Sequence, residues 1–117
     1  KAAIAALDGP QSIVAERVCE LKRRRDVIIE GLRGIPGIEC PKPQGAFYVF
    51  PNIRETGITS WEFQERGLKE AGVALLAGES FGGYGKGFVR LSYATSEQNI
   101  QKAIDRLGHW VMKSNKN

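Results

Sequence analysis

Residues 88–93 read Phe-Val-Arg-Leu-Ser-Tyr, and this alternation constrains the architecture more than any other stretch of the chain. Successive side chains of a strand point to opposite faces. Val89, Leu91 and Tyr93 therefore share one face, and Phe88, Arg90 and Ser92 the other. The apolar face requires cover. Arg90 argues against a second apolar layer on its own side, because an unpaired charge buried there is costly. The strand thus calls for a sheet with its helices on one face only, and leaves open what the charge of Arg90 is for.

Two more segments read as strands. Residues 46–50 (Ala-Phe-Tyr-Val-Phe) are continuous strand-formers closed by Pro51, and residues 73–76 (Val-Ala-Leu-Leu) are wholly apolar, the pattern of a strand buried on both faces. Helices surround them. Residues 1–7 form a short apolar helical run broken at Asp8-Gly9-Pro10. Pro10 and Gln11 then start a long helix to about Leu32, with a stripe of Val14, Val18, Leu21, Ile28 and Leu32 interrupted by Arg25. Thr59 with Glu62 spells a capping box that opens a helix to about Ala71, closed by Gly72. Thr95 with Gln98 spells a second box, ahead of an amphipathic helix with Ile100, Ala103, Ile104, Leu107 and Val111 on one face. Residues 33–45 and the glycine-rich 77–87 are loops. The order α-β-α-β-β-α predicts an α/β fold of the two-layer α+β kind, a small three-stranded sheet with helices on one face.

The 117 residues suffice for one hydrophobic core. No apolar run approaches the length of a membrane span, and no signal peptide is visible, so no membrane partner is expected. Cys19 lies in a helical pattern and Cys40 in a loop, without CxxC spacing and with only His109 as a further soft ligand. That predicts no metal site and two reduced thiols, as in a cytoplasmic protein. The net charge of +4 is scattered, the mark of a solvated surface. The opening "KAAIAALDGPQ", without Met or helix cap, and the polar close "KSNKN" suggest a C-terminal piece of a longer protein.

Three functional readings compete at this level. "GKGFVRLSYA" (85–94) nearly spells the RNA-binding strand of an RRM, which needs aromatics at its third and fifth positions to stack bases. Phe88 fills the third, but Arg90 stands at the fifth, and an RRM runs β-α-β-β-α-β, so no nucleic-acid partner is expected. "GGYGKG" (82–87) invites a phosphate cradle, yet its glycines lead into a strand and not a helix, which excludes a dinucleotide fingerprint. A flexible turn between two strands is the plainer reading. No catalytic constellation is complete, which leaves a stand-alone binding module for RNA or protein as the alternative to an enzyme domain.

"PKPQGAFYVFPNI" (41–53), "AGVALLAGESFG" (71–82) and "GFVRLSYATS" (87–96), with "RRDVIIEGL" (24–32) and "AALDGPQ" (5–11), resemble in order the small, C-terminal domain of class I/II pyridoxal-phosphate-dependent aminotransferases. Among these the chain is most similar to bacterial and plastid-type aspartate aminotransferases. The resemblance implies a segment leading in from a large domain (1–12), the small domain (13–113) and a polar tail (114–117). It implies that Arg90 grips the substrate α-carboxylate, that Phe47 lies near the substrate and helps exclude water, and that Gly45 lets the backbone pass close by. The glycine loop 82–87 would line the entrance. Arg25 matches the arginine of the family's "RRD", with a structural ion pair as its expected role. Where the family usually has Pro-Gly, this chain has Ala77-Gly78. The lysine that carries pyridoxal 5'-phosphate lies upstream in the family, so no catalytic or cofactor-binding residue is expected here. The resemblance further implies a homodimeric parent, cytoplasmic or plastidic, acting on an amino acid and a 2-oxo acid, with this piece inactive alone.

Overall fold

The computed structural model describes residues 1–114; of the expected polar tail only Ser114 falls among them. Helix α1 (Ala2–Asp8) is followed by the long α2 (Ser12–Arg33), β1 (Tyr48–Val49), α3 (Ser60–Ala71), β2 (Leu76–Ala77), β3 (Val89–Ser92) and α4 (Glu97–Ser114). The three strands form an antiparallel sheet in the order β1-β3-β2, with Tyr48 opposite Ser92, Val49 opposite Leu91, Leu76 opposite Arg90 and Ala77 opposite Val89. Directly opposed residues share a face. The inner face is therefore Val49, Ala77, Val89 and Leu91, all buried beneath α2, α3 and α4. The two-layer expectation holds, with helices on one face.

Local chemistry explains where the helices begin and end. Helix α3 starts with both halves of its capping box formed: the Glu62 amide donates to Thr59 Oγ1, and the Glu62 carboxylate accepts from the Thr59 amide at 3.1 Å. It ends on Gly72 in the left-handed conformation. Helices α2 and α4 approach closely because Gly31 has no side chain; a Cβ there would fall 2.3 Å from Ile104 Cδ1. Phe63 of α3 packs edge-on against Trp110 of α4 at 4.9 Å between ring centroids.

Four sequence expectations need correction. The cap of α4 is Ser96, whose Oγ accepts from the Asn99 amide; Thr95 instead accepts from the Asn99 side chain. The stripe of α2 is buried only from Ile28 onward, while Val14 and Val18 are exposed because α1 and the first turns of α2 run beyond the sheet. Segment 73–76 alternates, with Val73 and Leu75 buried and Ala74 and Leu76 exposed, and regular pairing starts only at Leu76. Its second face has no helix layer to cover it. Segment 46–50 pairs only at Tyr48 and Val49, since Ala46 adopts a left-handed φ of 60° that no extended strand can contain.

Candidate functional site

Arg90 stands on the central strand and on the face without helices, half-buried. Its guanidinium carbon lies 4.3 Å from the ring centroid of Tyr48 and 4.2 Å from that of Phe81. Tyr48 comes from the strand on one flank. Phe81 comes from the 3-10 turn Gly78–Phe81, which follows the strand on the other flank. Among the described residues Arg90 forms no ion pair with a carboxylate. The aromatic surface continues past Phe81, with Phe50 6.0 Å from Phe81 and 5.7 Å from Phe88, and the Arg54 guanidinium 4.8 Å from Phe88. The outer face is thus a row of rings with two guanidinium groups laid on them, each attracted to the negative ring faces.

The other two expected site residues lie to one side of this row. Phe47 is exposed, its ring 4.4 Å from that of Tyr48. Gly45 is exposed too, and a Cβ there would meet nothing within 4 Å among the described residues, so none of them demands a glycine at that place. Gly45 and Phe47 line a hollow of about 340 Å³ with Val18, Arg25 and Tyr93. Arg90 lines a different one of about 200 Å³, with Tyr48, Leu76 and Ser92. Among the described residues these two hollows have separate linings, and Tyr48 connects them, touching Phe47 on one side and Arg90 on the other.

The segment that carries them is held from below. The Tyr93 hydroxyl donates to the Ala46 carbonyl at 2.8 Å and the Tyr93 amide donates to the Phe47 carbonyl at 2.9 Å. Burial pushes the Tyr93 phenol above its ordinary pKa. Arg25 reaches across from α2, donating to the Pro43 carbonyl at 3.3 Å and to Asp26 at 3.1 Å. Lys42 closes the same cluster on Asp26 at 2.8 Å, and Lys42 followed by Arg25 holds the Asp26 carboxyl below its usual range. Arg25 therefore ties loop and helix together.

The glycine loop is no loose turn. It winds into the 3-10 turns Gly78–Phe81 and Gly83–Gly85, whose backbones touch so closely that a Cβ on Gly78 would lie 2.1 Å from the Gly85 carbonyl oxygen. The amides of Gly82, Gly85, Lys86 and Phe88 donate within the loop, and that of Gly87 donates to Ser60 Oγ at 2.9 Å. These groups are engaged and do not converge outward on an anion. Nor is any described lysine buried.

A hollow of about 690 Å³ between α3 and α4 contains none of the expected site residues. There Arg66 pairs with Glu70 at 2.8 Å, and the Trp110 indole donates to Glu70 at 2.8 Å. His109 is exposed there, its Nδ1 2.7 Å from the Asp105 carbonyl oxygen. Among the described residues no three of His, Cys, Asp or Glu gather as metal ligands, and no helix is long and apolar enough to cross a membrane. Sequence reasoning missed Tyr48 and Phe81 as partners of Arg90. Alternation from the buried Val49 could have placed Tyr48 on the outer face, but nothing in the sequence places Phe81.

The sequence profile of the family described as "Aminotransferase class I and II" matches residues 1–107. An aspartate aminotransferase of Pyrococcus horikoshii is 43% identical over 108 residues, covering 91% of this chain and 28% of the relative. One from Geobacillus stearothermophilus is 45% identical over 115 residues, covering 94% and 29%. The solved alanine aminotransferase from Pyrococcus furiosus superposes with a TM-score of 0.91 at 40% identity, covering 96% of this chain and 29% of that one. The chain spans less than a third of the length of these proteins.

Proposed function

This chain belongs to the class I and II aminotransferases, and on that premise we propose that it is the substrate-closing small domain of a pyridoxal-phosphate-dependent enzyme of the aspartate and 2-oxoglutarate type. When bound, pyridoxal phosphate supplies the electron sink that lets an amino group move between an amino acid and a 2-oxo acid. In this reading the cofactor is held by parts of the parent outside this chain, and the chain alone is inactive. Arg90 binds the α-carboxylate common to both substrates, its planar fork of donors matching the two oxygens. Phe47 lies beside the bound substrate and keeps water away. Gly45 leaves the backbone bare where another part of the parent or the substrate passes. The parent is a cytoplasmic homodimer, or a plastid one.

The observation that carries this reading is Arg90, a half-buried guanidinium on the helix-free face without a carboxylate partner among the described residues. In the full-length enzyme Arg90→Ala should lower kcat/KM for every amino-acid and 2-oxo-acid substrate by a similar factor, about a hundredfold or more. Arg90→Lys should recover part of that, since a point charge lacks the fork. Cofactor content should stay at the parent level in both. Intact kinetics with an unfolded domain would make Arg90 a structural residue and end the assignment.

A further inference from the structure

We infer that Tyr48 and Phe81 are positioning residues for Arg90, and that their rings fix the plane of its guanidinium so that its donor edge stays directed at a planar carboxylate. The inference rests on the proposed role of Arg90 and goes beyond it, to what holds the group in place. The two rings lie at nearly equal distances from the guanidinium carbon, 4.3 and 4.2 Å, and reach it from opposite flanks of the central strand. Ring faces attract a guanidinium through its flat face, which leaves the N–H groups at its edge available. An arginine anchored through a carboxylate would have those N–H groups occupied before any substrate arrived. Rings hold it without competing for them.

Both rings have supports that do not involve Arg90. Tyr48 leans on Phe47 and is set by the pairing of β1 with β3. Phe81 packs edge-on against Phe50, and its turn is braced where Gly78 and Gly85 touch. Phe81 is also half exposed, so removing its ring opens no cavity in the core beneath α2, α3 and α4. An effect of its loss on substrate binding would therefore not come from a damaged fold. The device also favours arginine over lysine twice, once through the fork and once through the stacked plane.

The test is steady-state kinetics of the full-length enzyme with one amino acid and its 2-oxo acid, alongside thermal melts. Phe81→Leu and Tyr48→Leu should each raise KM for both substrates about 3- to 10-fold while kcat changes less than about threefold. Tyr48→Phe keeps the ring and should match the parent enzyme. Phe81→Tyr should do the same. In an Arg90→Lys background the Leu substitutions should cost less than in the parent, because the flat group they orient is gone. Arg90→Ala is the control for the underlying assignment. If it leaves kcat/KM unchanged, the role of Arg90 itself fails. If it lowers kcat/KM but both Leu variants keep the parent KM, only the positioning role fails. Equal KM increases from Tyr48→Leu and Tyr48→Phe would also overturn it, by tracing the effect to the hydroxyl.

Discussion

Along β3, Val89 and Leu91 point into the helices and are almost fully buried, whereas Arg90 and Ser92 point to the face that no helix covers. The inner residues meet aliphatic side chains from three helices. The outer arginine meets two rings. One strand therefore serves two purposes at a spacing of one residue. Its inner positions hold the domain together, and in the proposed function its outer position binds the ligand. The division predicts that stability and substrate recognition respond to different residues of the same four-residue strand.

Leu91→Ala is the largest way to break that division. It removes a buried side chain between sheet and helices and should destabilise the fold by about 2–5 kcal/mol, read from urea unfolding. Arg90→Ala, on the same curve, should cost no more than about 1–2 kcal/mol, the worth of two ring contacts at a half-buried site. If the two changes destabilise equally, the outer face is structural and the comparison fails.

A titration offers a second test of the inner side. Cys40 is buried beside the core, and burial pushes its thiol up to about 11, with the nearby Arg33 charge opposing only part of the shift. A raised thiol pKa means that the folded state holds its proton more tightly than the unfolded chain. The stability this provides is complete below the unfolded value and is lost as pH rises through about 11. Melting temperature should therefore fall between about pH 9 and pH 11, and Cys40→Ala should flatten that fall. A thiol reagent at neutral pH should label the exposed Cys19 at once and Cys40 only on unfolding. Rapid labelling of both would show that the inner layer is open.

The sequence revealed most of the inner side because its signals are local. The Thr59–Glu62 box, the αL glycine after Ala71 and the alternation of Val89, Leu91 and Tyr93 depend on residues close in the chain, and all three form as expected. The misses have a common physical origin in what lies far away along the chain. Val14 and Val18 fit a buried stripe by spacing, but burial needs an element packed against them, and the loop that faces Val18 leaves a hollow there. Ser96 caps α4 in place of its neighbour because both hydroxyls suit a cap, and the path of the chain out of β3 decides between them. Arg90 was legible as an outward charge. Its two rings were not, because Phe81 reaches it only after the glycine loop has wound into two braced turns.

Ala77 joins the two faces and carries the smallest predicted effect. It lies on the inner side opposite Val89, and the turn that follows it carries Phe81 to the outer side. Its φ of −61° and ψ of 138° already match what a proline imposes, and the preceding Leu76 is extended, as a residue before proline must be. The family's usual pattern has a proline at this place. Here, however, the Ala77 amide donates to Gln64 Oε1 of α3 at 2.7 Å, and a proline would remove that donor. Restricting the unfolded chain favours Ala77→Pro by about 0.4–1 kcal/mol, and the lost hydrogen bond opposes it by about 0.5–1.5 kcal/mol. The net change in urea unfolding should lie within about 1 kcal/mol of zero. Gln64→Ala alone should cost more, because it leaves the buried-side amide of Ala77 without an acceptor. Adding Ala77→Pro to Gln64→Ala should then stabilise the chain, a coupling of opposite sign to simple additivity. KM in the full-length enzyme should be the same in all three variants if the turn keeps Phe81 over Arg90. A KM that rises with Ala77→Pro while stability holds would show that the inner strand end sets the position of the outer ring, and that the two faces are not independent.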